Sequence, residues 1–425
     1  MKGAWMRPAV GVFLLGLQCI GCCSSPDGPE VGAIVDLHTT EFASHGTHRP
    51  VFAKADDGTI YLFWGARPSE SRPNVSGVAS IPPELTRGSW AGPPTALGVS
   101  VYRDGKWLTP SILTAGDAEC APRFAWCRGH TLNVIAAMGD AGAGHLTYDT
   151  ETREWQSRLL PRPPAYTLFY HGCFESGGCV HVAGFSEESL YYVRFDGSEW
   201  ADPVVICKEV HFDGLHGYYR PRLAVSDGGD VHVAWNTQTL PRHVVIRGGR
   251  VASNQDLIVT YPVSAGNDLD IAPLRQGAML LSYRPAEGGS LPPGAICVME
   301  YRPGAGWTEA RVLAERTGRG AGLPQLATNG DKAILSWNSR TRHSSGGWGA
   351  VGPIAGYMVR NAGGDWSDMA TFVPSEMALG TIPPLSKAPQ AYYSVWCDRS
   401  GEVHLAWGNG RDTYYMYCGK LLEIP

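Results

Sequence analysis

Residues 220–235 read RPRLAVSDGGDVHVAW, and this stretch contains the unit from which the chain is built. A short apolar strand opens after a proline, an Asp/Gly turn follows, and a second strand ends in Trp235. Two runs rich in β-branched and aromatic residues, joined by such a turn, predict a β-hairpin.

The same unit recurs along the chain. Most intervals between starts are about 50 residues, a period typical of propeller blades. The starts lie at 49–52, 122–124, 172–174, 220–223, 272–274, 323–326 and 388–391. The second strands lie at 60–64, 132–136, 180–184, 231–235, 278–283, 333–337 and 403–407.

A second signature, a Gly turn closing on a tryptophan, stands between repeats at 104–107, 196–200, 304–307 and 363–366. Each repeat therefore supplies four short strands. The chain is predicted to be all-β, a β-propeller of about seven four-stranded blades, with six or eight as alternatives. The last repeat is short, so a strand at 33–37 is expected to complete it and close the ring, which removes free sheet edges. Residues 31–425 then form one domain.

The N-terminus predicts export. Lys2 and Arg7 precede an apolar run at 9–17 that is too short to span a bilayer, the layout of a signal peptide. Ile20-Gly21-Cys22 resembles the lipobox of bacterial lipoproteins, with Cys19 in place of the usual Leu. That resemblance implies a signal at 1–21, lipidation of Cys22, a flexible tether at 22–30, and a place in the cell envelope, at the outer membrane or on the periplasmic or outer cell surface.

Composition narrows the class of partner. A net charge of −5 without a basic stripe argues against nucleic acid. The lipid is the expected contact with the membrane, and a monomer without cofactor or metal is predicted. Of 11 cysteines, those after the anchor are expected in disulfides in an oxidising compartment. Local pairs fit Cys173 with Cys179, Cys120 with Cys127, and Cys397 with Cys418. A zinc site formed by Cys173, Cys179, His171 and His181 is the alternative, but its spacing matches no known ligand pattern.

Propeller geometry places the loops entering first strands and those leaving second strands on one face. These loops are rich in Arg, His and Tyr. The candidates entering first strands are His48, Arg49, His171, His216, Tyr219 and Arg220, and those leaving second strands are Arg67, Glu70, Arg284 and Arg340. Several guanidinium groups around one funnel predict an anion site, because each binds a carboxylate in a fork. The alternative is that loops are polar everywhere.

The aromatic residues that end second strands have two interpretations, a sugar platform or inter-blade core. The core is the favoured one. The residues are Trp64, Trp235, Trp337 and Trp407.

Several segments of the sequence resemble the sialidase superfamily. The BNR repeats of that family are present here in degenerate form. Arg49-Pro50, the Gly58-Thr59 segment and Arg67 follow the order of that family's first blade. Asp268, Gly277 and the aliphatic run before Arg284 resemble a later blade, and the Tyr393-Ser394 segment resembles the one that holds the nucleophile.

The resemblance implies that Arg49, Arg284 and Arg340 bind a carboxylate, with Arg342 as the alternative to Arg340. It also implies that Tyr393 attacks the anomeric carbon and that Asp268 removes the proton of Tyr393. A phenol with pKa near 10 needs such a base. The sequence also departs from the family, because only Glu70 stands where the acid/base Asp is expected. In addition, sialidases have six blades.

Three functions follow in order of preference. The first is a sialidase-like glycoside hydrolase acting on, or binding, an acidic glycan. The second is a uronate polysaccharide lyase such as the seven-bladed ulvan lyases, with His and Tyr as base and acid and Arg or His at the uronate; candidates are His48, His171, His216, Tyr219 and Arg220. The third is a non-catalytic propeller that binds a glycan or a protein.

Overall fold

The structure is a computed structural model that describes residues 34–37, 42–44, 50–68, 96–115, 121–137, 143–152, 154–161, 167–174, 178–186, 189–208, 221–237, 240–257, 269–285, 295–314, 320–342, 348–370, 372, 393–408 and 413–422. The signal segment, Cys22 and the tether lie outside them. In the described part the chain is almost entirely β-strand, with one 3-10 turn at Arg275–Gly277. No helix within these ranges has the length and apolar character needed to cross a bilayer.

The strands form seven antiparallel sheets, numbered here as blades in chain order. Two short strands precede the first innermost strand, β1 (Ile34–Asp36) and β2 (Phe42–Ser44). Blade 1 contains β3 (Val51–Lys54), β4 (Ile60–Pro68), β5 (Ala96–Arg103), β6 (Lys106–Trp107) and β7 (Ser111–Ala115), and blade 2 contains β8 (Ala121–Arg128), β9 (Thr131–Ala137), β10 (Ala143–Asp149) and β11 (Trp155–Leu159).

The next three blades repeat this order from the channel outward. Blade 3 contains β12 (Thr167–Phe174), β13 (Val180–Ser186), β14 (Ser189–Phe195) and β15 (Val204–Cys207). Blade 4 contains β16 (Arg222–Val225), β17 (Val231–Asn236), β18 (Pro241–Arg247) and β19 (Arg250–Asp256). Blade 5 contains β20 (Leu269–Pro273), β21 (Met279–Tyr283), β22 (Ile296–Arg302), β23 (Gly306–Trp307) and β24 (Arg311–Ala314).

The last two blades complete the ring. Blade 6 contains β25 (Gly320–Thr328), β26 (Ala333–Arg342) and β27 (Trp348–Arg360). Blade 7 contains β28 (Tyr393–Cys397), β29 (Val403–Gly408) and β30 (Thr413–Gly419), and β1 is its fourth strand.

Ring closure depends on the N-terminal strand, as expected from the sequence. In β1, Val35 pairs with Tyr415 of β30, so the first described strand completes the last blade. An ion pair also joins the last blade to the first, because Lys54 of blade 1 lies 2.6 Å from the carboxylate of Asp398 in blade 7. Successive innermost strands contact one another from blade 1 to blade 7. The prediction of a seven-bladed β-propeller closed by the N-terminal strand is confirmed.

The tryptophans that end second strands belong to the core. Trp235 and Trp337 are fully buried, and Trp64 and Trp407 are 2% exposed. Trp64 pairs with Gly98 on the neighbouring strand, where an added Cβ would lie 2.4 Å from the indole ring. The core interpretation of these aromatics is therefore confirmed.

In blades 3, 5 and 6 the turn-and-tryptophan signature joins the blade to the one before it. Trp200 of blade 3 donates its ring N–H to Nδ1 of His145 in blade 2 at 3.3 Å, and Trp307 of blade 5 donates to Nδ1 of His243 in blade 4 at 3.2 Å. Trp366 of blade 6 instead packs on the apolar cluster between blades 5 and 6. The signature is thus an inter-blade contact.

The expected disulfides are wrong where the structure describes both partners. Cys397 lies on β28 and Cys418 on β30, with β29 between them, so their backbones are about 9–10 Å apart, beyond the reach of a disulfide. Cys127 and Cys179 are also free thiols. Burial raises the pKa of Cys127 and of Cys397 to about 12, which keeps both protonated.

Candidate functional site

One end of the channel, called here the mouth, is where innermost strands begin and second strands end. The antiparallel register shows this directly: Leu269, at the start of β20, faces Tyr283 at the end of β21. In blade 7, Tyr393 at the start of β28 faces Trp407 near the end of β29.

Most of the predicted site residues with a described backbone lie at this end. Arg67 and Arg340 lie near the ends of second strands, at the extended tips of β4 and β26. Arg284 directly follows β21, and Tyr393 begins β28. His171 lies within the innermost strand β12. Five blades therefore bring predicted residues towards the mouth.

The other predicted site residues lie outside the described residues. They are His48, Arg49, Glu70, His216, Tyr219, Arg220 and Asp268. Their roles stay predictions.

Tyr393 is completely buried, with 0% of its surface exposed. Its ring packs in the cluster between blades 6 and 7, and its hydroxyl lies 3.3 Å from Oγ of Ser336. These contacts are those of a packing residue.

A set of polar residues, which the sequence reasoning missed and which is called here the polar ring, follows the innermost strands of blades 4 to 7 just inside the mouth. Each member lies on an innermost strand. It faces the residue that comes just before the last core residue of the second strand. The four members, with the residue opposite each, are Arg222 (Ala234), Asp270 (Ser282), Gln325 (Ser336) and Ser394 (Ala406). The opposing residues are small and fully buried, which leaves room for a polar side chain in an otherwise apolar strand.

Ring side chains bond the innermost strand of the next blade. Nε of Arg222 donates to the Leu269 carbonyl at 3.2 Å and lies 3.7 Å from the Asp270 carboxylate. Asp270 in turn accepts the backbone N–H of Leu326 in blade 6 at 2.8 Å.

The pattern continues around the circumference. The Gln325 amide donates to the carbonyl of Tyr393 at 2.5 Å and accepts from the N–H of Val395 at 3.3 Å. The Ser394 hydroxyl donates to the Pro50 carbonyl in blade 1. Buried backbone groups on the inner edge of a blade need partners, and the preceding blade supplies them.

A weak sequence signal for this ring exists. Arg222 and Gln325 each follow the proline that opens a repeat, at a position where an apolar strand residue is expected. A charged or amide residue there indicates an inward-facing polar group. Asp270 and Ser394 have no such preceding proline.

Buried charge concentrates at the mouth of blades 4 and 5. Among the described residues, the buried Asp, Glu, Lys and Arg side chains are Arg222, Asp270, Arg284 and Arg360. The first three lie at this mouth. Arg360 instead belongs to the opposite end, where its Nε donates to Glu300 at 2.9 Å. Burying guanidinium groups is costly unless anionic or polar partners compensate them.

Arg284 extends this group towards the loops. Ser282 faces Asp270, and Arg284, two residues further, points to the same side of the sheet by strand alternation. Asn236, 3% exposed, ends the second strand of blade 4. Arg222, Asp270, Arg284 and Asn236 are called here the basic mouth. Its described buried charges are two guanidinium groups and one carboxylate, a balance that favours an anion.

Comparison with known proteins supports the fold and does not assign the chain to a family. No family model matches the chain, and no curated protein sequence matches it. An ulvan lyase of a polysaccharide lyase family is similar in structure, at 10% identity and a TM-score of 0.53, over 90% of this chain and 96% of that one. The same lyase bound to a glucuronate–sulfated rhamnose oligosaccharide gives a TM-score of 0.50 at 10% identity, over the same shares of the two chains.

A Hadza microbial sialidase is also similar, at 12% identity and a TM-score of 0.41, over 91% of this chain and 67% of that one. At 10% identity, the likeness to the ulvan lyase shows the fold alone.

Proposed function

We propose that the mouth of the channel binds the carboxylate of an acidic glycan, and that the protein acts on a uronate-containing polysaccharide as a lyase. The observation that carries the proposal is the basic mouth, where Arg222 and Arg284 are both buried with Asp270 as the one described buried carboxylate. A third guanidinium group, from Arg49, Arg340 or Arg220, would make the electrostatic potential at the mouth more positive.

Arg284 is the residue most suited to hold the ligand. Arg222 and Asp270 direct bonds into the polar ring, to the backbone of the next blade. Arg284 directly follows the second strand β21 and therefore lies closer to the loops than Arg222 and Asp270 do. A bidentate guanidinium there recognises a planar carboxylate and not a neutral hydroxyl.

Lyase chemistry fits this arrangement. Elimination removes the proton next to the uronate carboxylate, so that group must be neutralised while negative charge develops, a task for a fixed cation. A base takes the proton and an acid protonates the leaving oxygen. The residues predicted for these steps are His48, His171, His216 and Tyr219, and Arg220 is predicted at the uronate.

The choice of a uronate has one further support. The ulvan lyase shares the propeller over nine tenths of both chains. The sialidase-like alternative instead requires Tyr393 to reach a sugar, and this side chain is buried between blades. Hydrolysis of sialosides is therefore the second candidate.

The test is a substrate screen with purified protein. Uronate polysaccharides are followed by the ultraviolet absorbance of an unsaturated product, and sialosides by release of free sialic acid. The expected result is an unsaturated product from a uronate polysaccharide and none from its carboxyl-reduced form. Release of sialic acid alone would establish the hydrolase instead, and binding without turnover would leave a lectin-like role.

A further inference from the structure

Two buried histidines stand at junctions between blades and accept hydrogen bonds there. Nδ1 of His145 in blade 2 accepts from the ring N–H of Trp200 in blade 3 at 3.3 Å and from Nε of Arg158 at 3.2 Å. Its other nitrogen lies 2.9 Å from Oδ1 of Asn133. His145 is completely buried.

The junction of blades 4 and 5 has the same construction. Nδ1 of His243 accepts from the ring N–H of Trp307 in blade 5 at 3.2 Å. Its Nε2 lies 3.0 Å from Nδ1 of His232. The ring of Tyr301, from blade 5, covers both imidazoles at 5.2 Å and 5.6 Å.

These partners determine the protonation state. An indole N–H and an arginine N–H can only donate, so Nδ1 of His145 and of His243 must carry no proton. Each imidazole is therefore neutral, with its proton on Nε2, where Asn133 or His232 accepts it. A proton added to Nδ1 would face the donor hydrogen of a tryptophan, and the inter-blade bond would be lost.

We propose that the two histidine–tryptophan contacts, His145 with Trp200 and His243 with Trp307, are acid-labile junctions that hold neighbouring blades together at neutral pH and release them when the pH falls. The device lies outside the basic mouth and does not depend on the proposed lyase activity.

The nearby charged or titratable group at each of these two histidines, Arg158 at His145 and His232 at His243, opposes its protonation. The described charged neighbour of His145 is Arg158, which repels an imidazolium; Trp126 and Phe195 provide the remaining ring contacts. Burial, with Arg158 second, lowers the pKa of His145 to about 3. Asp196 and Glu199 act on Arg158 from blade 3.

At the other junction, burial first and His232 second lower the pKa of His243 to about 3. Burial lowers the pKa of His232 to about 4, with Asp230 raising it and Arg247 lowering it.

The sign of the pH dependence follows. An exposed histidine titrates near 6.5, so the open junction binds a proton more readily than the closed one. The contact is fully effective above this pH, and each pH unit below it favours opening by about tenfold per histidine.

Hydrogen exchange of the full chain between pH 7.5 and 4.5, corrected for the intrinsic rate, measures the opening. We expect exchange of β10 and β14 to rise by about tenfold per unit below pH 6.5, and that of β18 and β22 to rise more steeply because His232 titrates together with His243. Strands of blade 6 serve as the internal control, since their described residues contain no histidine and Trp366 packs there on an apolar cluster.

Two variants separate the junctions. His145→Gln keeps an acceptor but cannot be protonated, so it should remove the pH dependence at blades 2 and 3 and leave that at blades 4 and 5. His243→Gln should reduce the pH dependence at blades 4 and 5, where His232 still titrates, and leave that at blades 2 and 3. If either fails to fold, Trp200→Phe and Trp307→Phe are compared with Trp366→Phe, and the first two should open at higher pH. Equal acid response in blade 6, or an unchanged profile in all these variants, would overturn the proposal.

Discussion

The side-chain amide of Gln325 bonds the backbone of Tyr393 in the next blade, donating to its carbonyl at 2.5 Å. The two residues are far apart in sequence, and ring order alone makes them neighbours. The same amide accepts from Val395, so one side chain satisfies two inner-edge backbone groups of blade 7. The polar ring is therefore part of what keeps the blades in register around the channel.

Replacing Gln325 should lower the free energy of unfolding. Gln325→Leu fills a similar volume but leaves the Tyr393 carbonyl and the Val395 N–H buried without their partner, which costs about 1–3 kcal/mol. Chemical denaturation measures the change. Gln255→Leu, on the exposed outer strand of blade 4, is the matched control and should stay within about 0.5 kcal/mol of the wild type. Equal losses in the free energy of unfolding for the two variants would contradict a structural role of the polar ring.

The seam between blades 7 and 1 should show measurable coupling between Lys54 and Asp398. Burial raises the pKa of Asp398, but hydrogen bonds from Lys54 and Ser400 outweigh it, so the pKa lies below its ordinary value. A carboxylate with a lowered pKa stabilises the fold above its unfolded pKa near 3.9, and this contribution is lost as pH falls through the folded value.

A double-mutant cycle with Lys54→Met and Asp398→Asn should give a coupling energy of about 0.5–3 kcal/mol at pH 7, decreasing below pH 4. The second ion pair of Lys54, with Glu402 at 3.6 Å, makes Glu402→Gln a useful comparison. A coupling energy of zero at pH 7 would mean that closure depends on strand β1 and on packing alone.

Tyr393→Phe distinguishes packing from nucleophilic catalysis. The change removes the hydroxyl that lies 3.3 Å from Ser336 and keeps the ring in its cluster. We expect stability to fall by about 0.5–1.5 kcal/mol and turnover of a uronate polysaccharide to stay within a factor of two. Abolished turnover with intact ligand binding would instead identify Tyr393 as the nucleophile of a sialidase-like enzyme.

The lipobox-like segment makes a separate prediction about location, and we propose that the exported chain is anchored through Cys22. Cys22→Ser should prevent lipidation and move the protein from the detergent phase to the aqueous phase in a partition assay. Cys23→Ser is the matched control and should partition as the wild type does. Unchanged partitioning of Cys22→Ser would eliminate the lipoprotein interpretation.

Much of the fold could be predicted from the sequence because each blade repeats one local pattern. The stretch at residues 220–235 contains the turn, the alternation of side chains along the strands and the tryptophan at its end. Each of these features is visible within a few consecutive residues. Closure by β1 was predictable for a related reason, since the last repeat lacks a fourth strand. Cys397 and Cys418 were paired wrongly because spacing in sequence does not show that a third strand lies between them.

The site was harder to predict because its residues meet through ring closure. Arg222 and Asp270 occupy the same register position in two blades, but only the three-dimensional arrangement shows that each bonds the next blade. Tyr393 matched a family segment in sequence, and its burial between blades 6 and 7 depends on packing that no local pattern records. Arg284 was predicted because it follows a second strand, where the repeat itself gives the position.

Calorimetric titration of the protein with a uronate oligosaccharide tests the central claim most directly, with Arg284→Lys as the variant and Arg250→Lys, on the exposed outer strand of blade 4, as the control. Arg284→Lys keeps the charge and loses the fork, so affinity should fall by about 1–3 kcal/mol, or roughly 5- to 150-fold, while Arg250→Lys binds as the wild type does. The carboxyl-reduced oligosaccharide should bind weakly to all three proteins. Equal affinity of the wild type and Arg284→Lys for the acidic ligand would contradict the assignment of the mouth as a carboxylate site.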